Sequence, residues 1–307
     1  MRIGLNIGAS EGPDGTIAGL IKIAQDAEAR GIDNLWMANI FGLDAISTLG
    51  LIGYETKKIG LGTAVTPTYP RHPTAIAQQA MTSGAASGGR FSLGIGLSHQ
   101  VVIEGMFGFS YDKPAKHMRE YLSMLGPLMA GETVSFHGEQ FNINNVTITI
   151  PEAKPVPLLV AALGPVMLNL AGQLADGTIT WMTGPKTLES HIIPNIGKGA
   201  EKAGKPTPTV VAGFPMVLTN DVESANKEID KTLQIYGQLP SYRAMLDKEG
   251  AAGPSDLAFA GNETELRSRI QGLRDIGVTD FSAAIVTSDP EAYERTVAFL
   301  ASESSGA

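Results

Sequence analysis

Short apolar runs rich in Val, Ile and Leu recur along the chain, and nearly every one is followed by a stretch whose apolar residues return every three or four positions. Eight of the runs read as buried strands, at 3–7, 34–37, 59–65, 91–96, 158–162, 178–182, 210–218 and 281–286. In the first helical stretch Ile17, Leu20, Ile21, Ala24 and Ala27 share one face, with Thr16 as cap and Gly31 as stop. Further helices are expected from Asp44, from Pro73 to Ser87, from Pro114, from Pro165 to Ala175, from about Lys186 to Ala203, and from Val222 to Tyr236. A last one follows the capping-box pair Asn262 and Glu265. Pro127 and Pro194 should bend the helices that contain them. Strands apolar on both faces imply parallel pairing, and eight β/α repeats make a closed α/β (β/α)8 TIM barrel more economical than its alternative, an open doubly wound sheet.

Two stretches break the rhythm. Thr133 to Ile150 alternates at period two around Gly138 and Asn144-Asn145, and is expected to form an antiparallel hairpin outside the barrel. Gly237 to Ser255 is a polar connector, read as an insertion and a candidate lid or interface. Residues 1–301 are read as a single barrel domain and 302–307 as a flexible tail.

Composition narrows the chemistry. With 43% hydrophobic and 18% charged residues, the chain is of the soluble globular class. A net charge of −8 without any basic cluster argues against nucleic acid or an acidic membrane surface as partner. There is no cysteine, which removes thiolate catalysis and Cys-based metal sites and fits a cytoplasmic location. No apolar run approaches the ~18–20 residues of a membrane span.

In a barrel the active site forms where the carboxyl ends of the strands meet. Those ends carry no lysine for a Schiff base and no His or carboxylate cluster for a metal. They are apolar, small and hydroxyl-bearing, which suits an organic cofactor that brings its own reactivity. Small residues in IGLGTAV, at 59–65, are read as letting a flat ligand approach the backbone, and the proline-rich 66–73 as a rim loop outside the sheet. The turn Gly96-Leu97-Ser98 and the βα turn Ala162-Leu163-Gly164 are candidate phosphate seats, with Thr183 and Lys186 as further donors. His99 is either a hydrogen-bonded loop histidine or a proton donor at the site. Trp181 is either a core residue or a wall for a ring system. His72 is expected to order its loop, and His117, His137 and His191 to lie on helix surfaces or the hairpin without a role.

Taken together, GLGTAVTPTYPRHP, AIAQQA, GRFSLGIGLSH, MAGETVSFHGEQF, AALGPVMLNLAGQLADGTITWM and GNETELRSRIQGLRDIGVTDF resemble the luciferase-like monooxygenase superfamily. Within it they are similar to the oxidoreductases that use the deazaflavin coenzyme F420. The resemblance implies a barrel with insertions, a homodimer, and a deazaflavin across the carboxyl mouth, backed by a cis peptide at Ala64-Val65. It implies cofactor contacts at Asn39, Thr63, Ala64, Val65, Gly96, Leu97, Ser98, His99, Ala162, Leu163, Gly164, Trp181 and Thr183, with His99 as the catalytic residue. The sugar-phosphate dehydrogenases of this branch carry a histidine after the second strand and a glutamate after the fourth. Here Met37-Ala38-Asn39-Ile40 and His99 stand in those places, so an apolar organic substrate is expected instead, reduced at an activated C=C or C=N bond or oxidised as an alcohol. The alternative is an FMN-dependent monooxygenase of the same superfamily.

Overall fold

The computed structural model describes residues 1–8 and 15–304. Its strands are β1 (Arg2–Ile7), β2 (Asn34–Met37), β3 (Gly60–Thr63), β4 (Thr66–Pro67), β5 (Phe91–Gly96), β6 (Val134–His137), β7 (Asn142–Val146), β8 (Leu158–Val160), β9 (Gly177–Trp181), β10 (Thr209–Leu218), β11 (Phe259–Gly261) and β12 (Asp280–Ile285). Strands β1, β2, β3, β5, β8, β9, β10 and β12 pair in that order, all parallel, and β12 closes on β1. The ring is the eight-stranded TIM barrel that the apolar runs imply. Each strand buries both faces, one on the barrel axis and one under the helices.

The helices are α1 (Ile17–Ala29), α2 (Ala45–Glu55), α3 (Pro73–Ala86), α4 (Gln100–Gly105), α5 (Pro114–Met129), α6 (Pro165–Leu174), α7 (Pro185–Thr187), α8 (Ile193–Lys202), α9 (Val222–Thr232), α10 (Pro240–Glu249), α11 (Glu263–Asp275) and α12 (Pro290–Glu303). Local chemistry sets their starts. Thr16 accepts from the Gly19 amide, Asp44 from that of Ser47, and Asn262 and Glu265 cap each other's backbone amides. His72 caps α3 through Nδ1, which accepts from the Thr74 amide at 3.3 Å. Between α7 and α8 a π turn spans Leu188–Ile192, and Pro194, which has no amide hydrogen, stands at the start of α8.

Several expectations need correction. Thr66–Pro67 does rejoin the sheet, pairing with Ile95 and Gly96 of β5, because a proline at a strand's end has no ladder bond to lose. The hairpin turn lies at Gly138 to Phe141, whereas Asn145 sits inside the return strand with φ 52°, next to a register shift. Ser302 and Glu303, assigned to the tail, continue α12, which packs its apolar face on the barrel; residues 305–307 lie outside the described residues. The connector after α9 is largely helical, holding α10 and two short 3-10 turns.

The small residues of β3 have a different job from the one expected. Trp36 pairs in register with Gly62 and points its ring into the barrel, where a Cβ on Gly62 would lie 2.5 Å from Cε3. Gly60 likewise makes room for the amide of Asn34. The glycines therefore admit side chains from β2, not a ligand. Trp36, Leu159, Ile179 and Val211 form an interior layer, and Ala64, Val65 and Ala161 rest on it.

Candidate active site

Above that layer, at the carboxyl ends of the strands, opens a cavity of about 1200 Å³. Its floor includes Asn6, Ala64, Val65 and Ala161, and Gly96 to His99 form one wall. Ala162 to Gly164 face it from the turn before α6, and Trp181 from the end of β9. The Ala64-Val65 peptide is cis. Ser98, with φ 60°, turns the chain after β5, and its carbonyl accepts from the Tyr111 hydroxyl at 3.2 Å. The next residue, His99, lines the cavity and opens α4, with its carbonyl accepting from the amides of Val102 and Ile103.

Three expected contacts are not in the wall. Thr63 is fully buried, its hydroxyl donating to the Gly94 carbonyl at 2.7 Å and accepting the Gly94 amide at 2.8 Å, so it stitches β3 to β5. Asn39 turns away: its Oδ1 accepts from the Ala45 amide and from Arg71, bracing the start of α2, and its neighbour Ala38 lines the cavity instead. Thr183 is buried, 3.4 Å from the Trp181 carbonyl. Lys186 is not in the wall either, and its amide donates to Glu249.

Burial favours the uncharged forms of the cavity's imidazole and phenols. Burial lowers the imidazole of His99 below its ordinary value and raises the phenols of Tyr111, Tyr236 and Tyr242 above theirs. Glu104 is the carboxylate in the described lining, which contains no lysine or arginine. Its Oε1 accepts from the Tyr111 amide and its Oε2 from Gln100.

The connector, read from the sequence as a candidate lid or interface, reaches the cavity: Leu239, Pro240, Ser241 and Tyr242 line it together with Tyr236 just before them, and the Tyr242 ring lies 5.7 Å from that of His99. Sequence reasoning had singled out none of these residues. The rings of Trp181 and Tyr236 meet edge to face at 6.1 Å. His191, to which no role was assigned, donates from Nε2 to the Leu163 carbonyl at 2.8 Å and so braces the turn before α6. His191 lies within the π turn. His117, expected on a helix surface, is buried, stacked on Tyr69 at 4.0 Å and hydrogen-bonded to Thr68 and Gln140. A wide apolar face on α5, including Tyr121 and Leu122, was the available signal.

Among the described residues no helix is long and apolar enough to cross a membrane. The chain is 28% identical to a 5,10-methylenetetrahydromethanopterin reductase of Methanolobus tindarius, over 88% of this chain and 91% of that protein. It is 28% identical to an F420-dependent glucose-6-phosphate dehydrogenase of Kineococcus radiotolerans, over 91% of this chain and 89% of that one. Its fold superposes with a TM-score of 0.80 on an F420-dependent secondary alcohol dehydrogenase solved with an F420-acetone adduct, at 19% identity and covering 98% of this chain and 97% of that one. The luciferase-like monooxygenase model matches residues 1–301, and with the barrel closed as described the chain belongs to that family.

Proposed function

We propose that the protein is an F420-dependent oxidoreductase that moves a hydride between the deazaflavin and an uncharged, largely apolar organic molecule. The observation that carries this reading is the cavity itself: apolar, at the carboxyl mouth, with one imidazole in its wall. The residues present fit a tricyclic cofactor. Trp181 lines the cavity and offers its ring as a flat apolar wall. The turn before α6 ends in Gly164, where a Cβ would meet nothing within 4 Å, and no side chain caps that helix, leaving its first amides to an anion.

F420 bound there would supply or accept the hydride. Ala64, Val65 and Ala161 would support the ring, and Leu163, Gly164, Gly96 and Ser98 would hold its phosphate end. Proton transfer falls to His99. Its lowered pKa leaves it neutral at neutral pH, ready to accept the proton of an alcohol; on the acid side it becomes a donor for reduction. With the amides before α6 given to the cofactor's phosphate, the described lining has no cationic side chain left for a second anion, which disfavours phosphorylated or carboxylate substrates.

His99→Ala tests the assignment. We expect single-turnover hydride transfer to fall by about 10²-fold or more with F420 affinity unchanged, the usual scale of general acid–base catalysis. An unchanged rate removes His99 from the chemistry.

A further inference from the structure

We propose that Glu249 is a positioning residue for the cavity: its carboxylate latches the far end of α10 to the turn after β9, and this holds Tyr242 beside His99. The claim about catalysis rests on the active-site reading above; the latch itself does not.

The geometry is specific. Glu249 is the last residue of α10, and its side chain reaches the start of α7. Its Oε1 accepts from the Lys186 amide at 3.1 Å, and its Oε2 accepts from the Thr187 amide at 2.8 Å and the Thr187 hydroxyl at 2.7 Å. Gly184 makes the seat: a Cβ there would stand 2.5 Å from Oε1 and closer still to the carboxyl carbon. The turn belongs to the cavity's own frame, since it leaves β9 directly after Trp181.

The other end of α10 forms the roof. Leu239, Pro240, Ser241 and Tyr242 line the cavity, and Tyr236 touches both Tyr242 and Trp181. Between the two ends, Leu246 packs with Met182, Ile229 and Leu257, an apolar contact that holds the helix down without fixing its rotation. Three directed, charge-assisted hydrogen bonds do fix it. A ten-residue helix is a rod of about 15 Å, so a change at Glu249 carries to Tyr242 two turns away.

Two substitutions release the latch by different routes. Glu249→Ala deletes the carboxylate. Gly184→Ala, whose backbone φ of −68° any residue adopts, displaces it by bulk alone. Amide hydrogen exchange of the cofactor-free chain should rise about tenfold or more across 234–249 in both. Glu249→Gln keeps the shape and one acceptor oxygen but loses the charge and the second acceptor, so its exchange should fall between the native and Glu249→Ala rates. With F420 and a turned-over substrate, both releasing variants should lower kcat/KM on the order of tenfold while F420 affinity holds. Native exchange in Glu249→Ala overturns the latch, and faster exchange with unaltered kcat/KM overturns the positioning role. If the native chain turns over nothing with F420, that counts against the cofactor reading, and the exchange measurement still decides the latch.

Discussion

Gly62→Ala should lower stability and disturb the cavity floor together. The added methyl carbon would lie 2.5 Å from Cε3 and 3.1 Å from Cη2 of Trp36, and closer to Cζ3. All are inside van der Waals contact. The indole is 2% exposed and surrounded by Leu159, Ile179 and Val211, so it has nowhere in the barrel to retreat. Overpacking of this kind costs about 1–3 kcal/mol. For a chain of 307 residues that is a melting-temperature drop of about 1.5–5 °C. Because Ala64, Val65 and Ala161 rest on the same layer, the displaced ring also tilts the cavity floor, and cofactor affinity should weaken. Differential scanning calorimetry and a fluorescence titration measure the two effects. Trp36→Leu in the same chain should recover part of the loss, a non-additivity expected of side chains in contact. An unchanged melting temperature in Gly62→Ala would refute the claim that the Trp36 ring fills the space over Gly62.

Further outcomes follow from the same contacts. Burial lowers the imidazole of His117 below 6.5, so the unfolded chain takes up a proton first on acidification; stability present above about pH 6.5 is lost as the pH falls toward the folded value. His99 acts in the same direction, and His117→Gln should flatten the slope of melting temperature between pH 7 and pH 5; an unaltered slope removes His117 as a cause. The carboxylate of Glu120 accepts the amides of Glu139, Gln140 and Phe141 in the hairpin turn. Glu120→Ala should cost about 3 kcal/mol and expose those amides to exchange, whereas native protection there would show the turn is held by other bonds. Alcohol oxidation should rise with pH through the lowered pKa of His99 and reach a plateau by neutrality, and His99→Gln should lose that step.

The barrel was legible because buried parallel strands carry a local signature, and because caps such as Asp44 and the Asn262–Glu265 pair are written within four residues of their helices. Cavity residues at strand ends were legible for the same reason wherever the backbone itself forms the wall, as at Val65, Gly96 and Gly164. Side-chain direction was not. Asn39 and Thr183 stand at the ends of their strands but are turned away from the cavity by contacts with Ala45, Arg71 and the Trp181 carbonyl. Gly62 looked like a ligand approach because its partner, Trp36, is brought opposite only by the β2–β3 register. His117 is buried by Tyr69, which the rim loop carries in from far along the chain. Long-range register and loop return are what period and spacing cannot encode.

The central claim is a deazaflavin in this cavity, and titration of the chain with F420 and, separately, with FMN tests it most directly. Fluorescence of each cofactor reports binding without need of a substrate. The account predicts saturable binding of F420, weakened in Gly62→Ala, and much weaker binding of FMN. Tight FMN binding with none of F420 would contradict it and assign the cavity to flavin-dependent oxygen chemistry.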